Sequence, residues 1–340
     1  MNTINASIQK AYTVLEGNQL IPELANQLAN IKRVDILDLV SLANKVQSKF
    51  APKAHVCTIL NAKSGQCGED CRFCAQSGHN NADVDVYPLI SKDEILKRAE
   101  AAYETGIRSF GIVTSGTGFK KRTNTFTEIL KAIDLIHNKL PELNVCASLG
   151  ILSEETTRDL ADRNIIHYNI NLQTEPSRYR ELISTTHKID ERIETIKLLQ
   201  KYKIKVCCGG ILGIGENMLD RIKMAYALND LDVDVIPLNI LVPIKGTPLE
   251  EQAHVSVSEA AIAFSLFRLI NPTKTIKFAA GRETIMKDFQ GLLMLAGANG
   301  MLTGGYLTTR GRDVPEDISF MKELDGFASK AGIANPLKTT

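Results

Sequence analysis

The chain has 340 residues, 44% hydrophobic and 23% charged, with a formal net charge of +1 at pH 7. That is the balance of a soluble globular protein, long enough for one large α/β barrel or two ordinary domains. The near-neutral charge gives no electrostatic case for a nucleic-acid partner, and no apolar run approaches the roughly 20 residues of a membrane-spanning helix. The opening Met-Asn-Thr-Ile-Asn lacks the basic and apolar regions of a signal peptide, so a cytoplasmic protein is expected. Seven cysteines, an odd number, do not suggest a disulfide framework; in a reducing compartment such cysteines serve metals or catalysis.

Residues 1–50 carry apolar positions at helical spacing, Ile8, Ala11, Tyr12 and Leu15, then Ile36, Leu37, Val40, Ala43 and Val46. They are expected to form an N-terminal helical extension. From residue 54 short β-rich runs alternate with amphipathic stretches. The expected strands are Val56–Leu60, Ser109–Thr114, Asn144–Leu149, Tyr168–Leu172, Lys205–Cys208, Val235–Asn239, Thr275–Ala279 and Gly300–Thr303. Helices are expected between them, two opening on the capping signatures Ser91–Glu94 and Ser256–Glu259, and one spanning 285–297. Eight such units close naturally into a (β/α)8 barrel over 51–310, with an open doubly wound sheet as the alternative. The tail, 311–340, is expected to close over one barrel mouth.

The stretch Cys67-Gly-Glu-Asp-Cys71-Arg-Phe-Cys74 follows the first strand, which in a barrel puts it at the C-terminal mouth, where active sites are built. Three thiolates so close together, with no adjacent fourth, point to a [4Fe–4S] cluster with one open iron. A Cys3His zinc site completed by His79 is the competing reading; its x3 and x2 spacings are unlike paired zinc knuckles.

This Cys-x3-Cys-x2-Cys motif, with an aromatic residue before the last cysteine, resembles that of the radical S-adenosylmethionine (SAM) enzymes. The surrounding residues resemble the biotin synthase family: Lys63–Ser77, Tyr168–Leu172, Cys207–Glu216, Asn239–Pro248, Ala280–Glu283, Gly297–Asn299 and Leu307–Thr309. The resemblance implies conversion of dethiobiotin to biotin, with SAM on the open iron and sulfur drawn from a second, auxiliary iron–sulfur cluster. It places Phe73 near the adenine, Arg192 on the SAM carboxylate, Asn171 and Asn239 on dethiobiotin, and Thr308 and Thr309 on its valeryl carboxylate. Gln173 stands where the family usually has an aspartate on the SAM ribose, which removes the charge-assisted strength of that bond. A flavodoxin or ferredoxin electron donor and a homodimer are implied by the same resemblance. Other radical SAM enzymes on this scaffold, of the hydrogenase maturase or methylornithine synthase kind, are the nearest rivals, and a non-catalytic iron–sulfur carrier is a third reading.

One part departs from the family. Its usual [2Fe–2S] cluster has three cysteines and an arginine; two of the cysteines match Cys146 and Cys207, but Gly111 and Lys277 stand in the other two places. Cys57 and Cys208 appear where the usual enzyme has serines. A remodelled auxiliary cluster, of the four-iron type, is therefore expected on Cys57, Cys146, Cys207 and Cys208, or on three of them with an exogenous sulfur species on the fourth iron. Neighbouring strand residues point to opposite faces, so Cys207 and Cys208 can share the lumen only through a bulge or a strand end.

Overall fold

The computed structural model describes residues 4–305, 307 and 311–327 of the chain. Its eight barrel strands are β1 (His55–Lys63), β2 (Ser109–Thr114), β3 (Asn144–Ser148), β4 (His167–Asn169), β5 (Lys205–Cys207), β6 (Val235–Ile240), β7 (Thr275–Phe278) and β8 (Gly300–Leu302). Each pairs in parallel with its neighbours in sequence, and β8 returns to β1 through His55↔Gly300 and Cys57↔Leu302, so the sheet closes on itself. After β5 the chain pauses at Cys208-Gly209 and continues as Gly210–Leu212, still in step with β6 (Cys207↔Val235, Gly210↔Leu238). The closed (β/α)8 barrel is the architecture expected; a small ribbon, Gly118–Phe119 with Ile151–Leu152, is added to it.

The period-two alternation of each strand separates two chemistries. Positions facing the surrounding helices are apolar and buried: Val56, Phe110, Ile112, Val145, Tyr168, Val206, Ile236, Leu238, Ile276, Phe278 and Met301. The alternate positions, facing the lumen, carry Cys57, Gly111, Cys146, Asn169, Cys207 and Lys277. The barrel thus takes its stability from its outer layer, leaving the interior for chemistry.

The helix Val257–Ile270 is buried along nearly its whole length because Asp35–Phe50, from the N-terminal extension, packs over its outer face. Ser91 and Ser256 cap their helices as expected, accepting from the Glu94 and Glu259 N–H groups at 3.2 Å. The single helix expected over 285–297 is instead a π-turn, Arg282–Met286, a 3-10 turn, Lys287–Phe289, and a short α-helix, Gln290–Leu295. The break coincides with the buried Arg282 guanidinium, which pairs with Asp317 and Glu283 at 2.7 Å each. Asp317 lies on the helix Val314–Asp325, so this ion pair ties the described part of the tail to the barrel, against Gln290–Leu295.

Candidate functional site

The cysteine loop leaves the C-terminal end of β1 and is held in shape by its own polar groups. The Cys67 N–H donates to the Gln76 carbonyl (3.0 Å), its carbonyl accepts from the Gly78 N–H (2.7 Å), and the Cys74 N–H donates to the Cys71 carbonyl (3.1 Å). The Asn80 amide donates to the carbonyls of both Cys71 and Cys74, at 3.2 and 2.9 Å. Burial pushes the Cys71 thiol up to about 12, with Cys74 and Cys67 adding to the effect and Arg192 opposing it; burial raises Cys74 as well. Thiols so disfavoured as thiolates need a cationic metal to ionise.

Two carboxylates within the motif anchor the loop to the far wall. Asp70 accepts from the Ser184 and Thr185 hydroxyls at 2.5 Å each and from the Thr185 N–H at 2.9 Å. Burial works against its charge, but these bonds outweigh it and hold Asp70 well below the usual carboxylate range. Glu69 accepts from Thr186 (2.5 Å), from Thr117 and from His187 Nδ1 (2.9 Å). On its other side His187 Nε2 meets the Tyr179 hydroxyl at 2.6 Å and Arg192 at 3.0 Å, and burial followed by the Arg192 charge lowers its pKa. Arg192 also donates to the Asn171 carbonyl (3.1 Å). A continuous chain thus runs from the cysteine loop through Glu69 and His187 to Arg192, a link with no local signal in the sequence.

From this loop a cavity of about 330 Å³ descends into the barrel, a size that suits a small ligand. Phe73, Asn171, Gln173 and Asn239 line it, with Cys57, Cys146, Cys207 and Lys277 deeper in. Asn171 Oδ1 accepts from the Gly209 N–H (3.0 Å), while Asn239 donates to the Gly210 carbonyl and accepts from the Ala280 N–H, both at 3.1 Å. Both asparagines therefore hold backbone groups as well as facing the cavity. Gln173 has a left-handed backbone (φ 70°) and a buried Oε1 with no partner among the described residues, an acceptor at the cavity wall suited to a ligand hydroxyl. Replacing Gln173 with alanine is expected to weaken SAM binding about tenfold, the worth of one hydrogen bond, as read by equilibrium dialysis. Thr308 and Thr309 lie outside the described residues.

At the deep end each lumen sulfur has a polar neighbour. Lys277 Nζ donates to Cys57 Sγ at 3.0 Å, Asn169 donates to Cys207 Sγ at 3.4 Å, and the Ser109 hydroxyl lies 3.4 Å from Cys146 Sγ. Lys277 reaches β1 from β7 because Gly300, on β8 between them, has no side chain; a Cβ there would lie 2.8 Å from Lys277 Cγ. A Cβ on Gly111 would lie 3.9 Å from that of Cys146, so this position is beside Cys146 in the lumen. Burial raises Cys146 to about 11 and raises Cys207; burial opposes the Lys277 charge, but the three cysteines outweigh it and raise its pKa. Cys208 is not brought to this group. It is fully buried on the helix-facing side among apolar residues, and the register of β5 with β6 passes it without a bulge. Burial raises it to about 12.

Among the described residues no three His, Cys, Asp or Glu side chains close around a single metal ion. His79, the fourth ligand of the zinc reading, is 3.0 Å from the Gly68 carbonyl through Nε2. Separated sulfurs with polar donors suit a multi-iron cluster, whose thiolates attach to different irons.

Sequence reasoning passed over Asn169, Ser109, His55 and His167. All lie on the lumen side of their strands, two residues from a residue already singled out or, for His167, four, so the period-two pattern would have found them. His55 and His167 stack edge to face, 5.4 Å between centroids. Burial, then Lys277, depresses both, His55 to about 2 and His167 to about 3. Both folded values lie below 6.5, so the unfolded chain takes up protons first as the pH falls. The stability is complete above pH 6.5 and is lost below it. For the metal-free protein a loss of at most about 2 kcal/mol per ring is expected between pH 6.5 and 5, measurable by urea unfolding at the two pH values.

The family model "Radical SAM superfamily" matches residues 63–228, and "Biotin and Thiamin Synthesis associated domain" matches 237–326. Curated relatives include biotin synthases of Chlorobaculum parvum, 57% identical over 96% of this chain and 99% of that one, and of Chlorobaculum tepidum, 57% identical with the same shares. Among solved structures, methylornithine synthase (PylB) aligns with TM-score 0.81 at 18% identity, over 92% of this chain and 95% of its own. The hydrogenase maturase HydG of Carboxydothermus hydrogenoformans aligns with TM-score 0.77 at 16% identity, over 93% and 77%. These structures share the fold; the sequence relationship is with the other group, and the chain belongs to the biotin synthase family of radical SAM enzymes.

Proposed function

We propose that the chain makes biotin from dethiobiotin by radical SAM sulfur insertion, in a cavity with a cysteine site at each end. The observation that carries this reading is the convergence of Cys57, Cys146 and Cys207, beside Lys277, below the Cys67–Cys74 loop on one cavity. When bound, a [4Fe–4S] cluster with SAM supplies the homolytic chemistry that activates an unreactive C–H bond, and an auxiliary cluster supplies the sulfur.

The residues of the chain bind, orient and exclude water. Cys67, Cys71 and Cys74 hold the first cluster; Glu69 and Asp70 keep their loop against the far wall. Arg192, set by His187 and the Asn171 carbonyl, takes the SAM carboxylate. Gln173 takes the ribose, Phe73 packs near the adenine, and Asn171 and Asn239 hold dethiobiotin, with Thr308 and Thr309 on its carboxylate. Ile59, Val113, Ile211 and Leu241 give the cavity dry walls. The auxiliary cluster is of the four-iron type, on Cys57, Cys146 and Cys207 with Lys277 alongside, and Cys208 takes no part. The electron donor is a flavodoxin or ferredoxin, and the enzyme works as a cytoplasmic homodimer.

Reduced, reconstituted protein given SAM and dethiobiotin tests the reading. Biotin with 5′-deoxyadenosine is expected. Deoxyadenosine without biotin would transfer the chain to another radical SAM chemistry, and no cleavage at all would leave an iron–sulfur carrier.

A further inference from the structure

The floor of the cavity is polar, and the mechanism above leaves several of its groups unused. His55, Ser109, His167 and Lys205 precede Cys57, Gly111, Asn169 and Cys207 by two residues, one lumen layer nearer the N-terminal ends of the strands. In most (β/α)8 barrels such layers are filled by bulky branched side chains. Here Lys205 is exposed and His55 is only partly buried, both outside the lining of the cavity, so solvent reaches this layer from below, while His167, also partly buried, lines the cavity from beneath; Gly300 contributes no side chain to the layer. His167 Nδ1 lies 4.0 Å from Cys146 Sγ, directly under the three-cysteine group. His55 Nδ1 is buried without a hydrogen-bond partner among the described residues.

The layer also has a charge. Lys277 and Lys205 are the cations that bear on both rings. Asp234, the acid that bears on Cys207, is occupied with the Val206 N–H at 2.8 Å. A half-open mouth with two lysines and two imidazoles attracts a small anion and offers it N–H donors. The two rings touch edge to face, centroids 5.4 Å apart, so a polypeptide segment cannot pass and only a small species can skirt them.

We infer that the N-terminal mouth of the barrel, at His55, His167 and Lys205, is a separate entrance through which hydrosulfide reaches the Cys57–Cys146–Cys207 site. The inference rests on the sulfur-insertion reading: each product carries away a sulfur, and the C-terminal mouth is where SAM and dethiobiotin are placed. The step is uptake alone. HS⁻ enters as an anion, passes Lys205 and the rings, and arrives beside Lys277, with no change of oxidation state.

The test uses the full chain with both clusters. After one turnover without added sulfide, ³⁴S-labelled sodium sulfide is supplied, and label is followed per bound iron in the acid-labile sulfide and in the biotin of the next turnover. Uptake is expected to be about tenfold slower in Lys205→Glu, to be restored in Lys205→Arg, and to slow with rising salt in the unaltered protein. His167→Phe, which plugs the mouth, is expected to slow it too; the exposed Lys205 pair keeps the test decisive should that variant fold poorly. Uptake at the unaltered rate in Lys205→Glu, or equal slowing in Lys205→Arg, overturns the entrance. A first turnover without biotin overturns both the entrance and the sulfur-insertion reading; biotin formed with charge-insensitive uptake overturns the entrance alone.

Discussion

Cys71→Ala is expected to abolish SAM cleavage, with the iron content falling by the complement of one cluster. The loop around Cys71 is tied through Asn80, Asp70 and Glu69 independently of any metal, so the variant keeps its fold and loses one ligand of three. Removing an outer partner of a metal ligand costs roughly 10- to 100-fold in affinity or activity. Removing the ligand itself must exceed that, so 5′-deoxyadenosine formation should drop below detection while the circular dichroism spectrum is unchanged. Asp70→Asn supplies the contrast. It weakens the charge-assisted bonds from Ser184 and Thr185 without touching sulfur, and should fall within the outer-partner range. Cleavage by Cys71→Ala near the unaltered rate would remove the cluster assignment.

Cys207→Ala and Cys208→Ala, one residue apart, are expected to behave oppositely. Cys207 faces the cavity, with Asn169 on its sulfur, and its loss should leave SAM cleavage in place, remove the auxiliary iron and end biotin formation. Cys208 is buried among Val206, Leu238 and their neighbours on the other face. Its loss should retain both clusters and cost about 1 kcal/mol of stability, the scale of removing one methyl-sized group from a core. Iron and sulfide analysis with Mössbauer spectroscopy separates the two. Loss of auxiliary iron in Cys208→Ala, or its retention in Cys207→Ala, would reverse the assignment of faces.

Those two residues show how much of the protein could be read beforehand. The eight strands were legible because each is a short run between helical stretches, and because alternation puts one apolar face of every strand under the helices. The cysteine loop was legible because three ligands within a span of eight residues need only a local turn to meet. The 285–297 region was not, because its shape depends on Arg282 finding Asp317, 35 residues further on. Nor was the Glu69–His187–Arg192 chain, in which Glu69 lies 118 residues before His187 and meets it only when the barrel closes. The same closure decided the deep site. Sequence named Cys57, Cys146, Cys207 and Cys208 as one group, since all four fall on strands and nothing local says which face is the lumen. Register settled that: β5 passes β6 without a bulge, turning Cys207 inward and Cys208 out, and the bare Gly300 lets Lys277 cross a whole strand to reach Cys57. Residue types and local spacing thus carry the reaction class, whereas strand pairing, a non-local property, selects which sulfurs share the cavity.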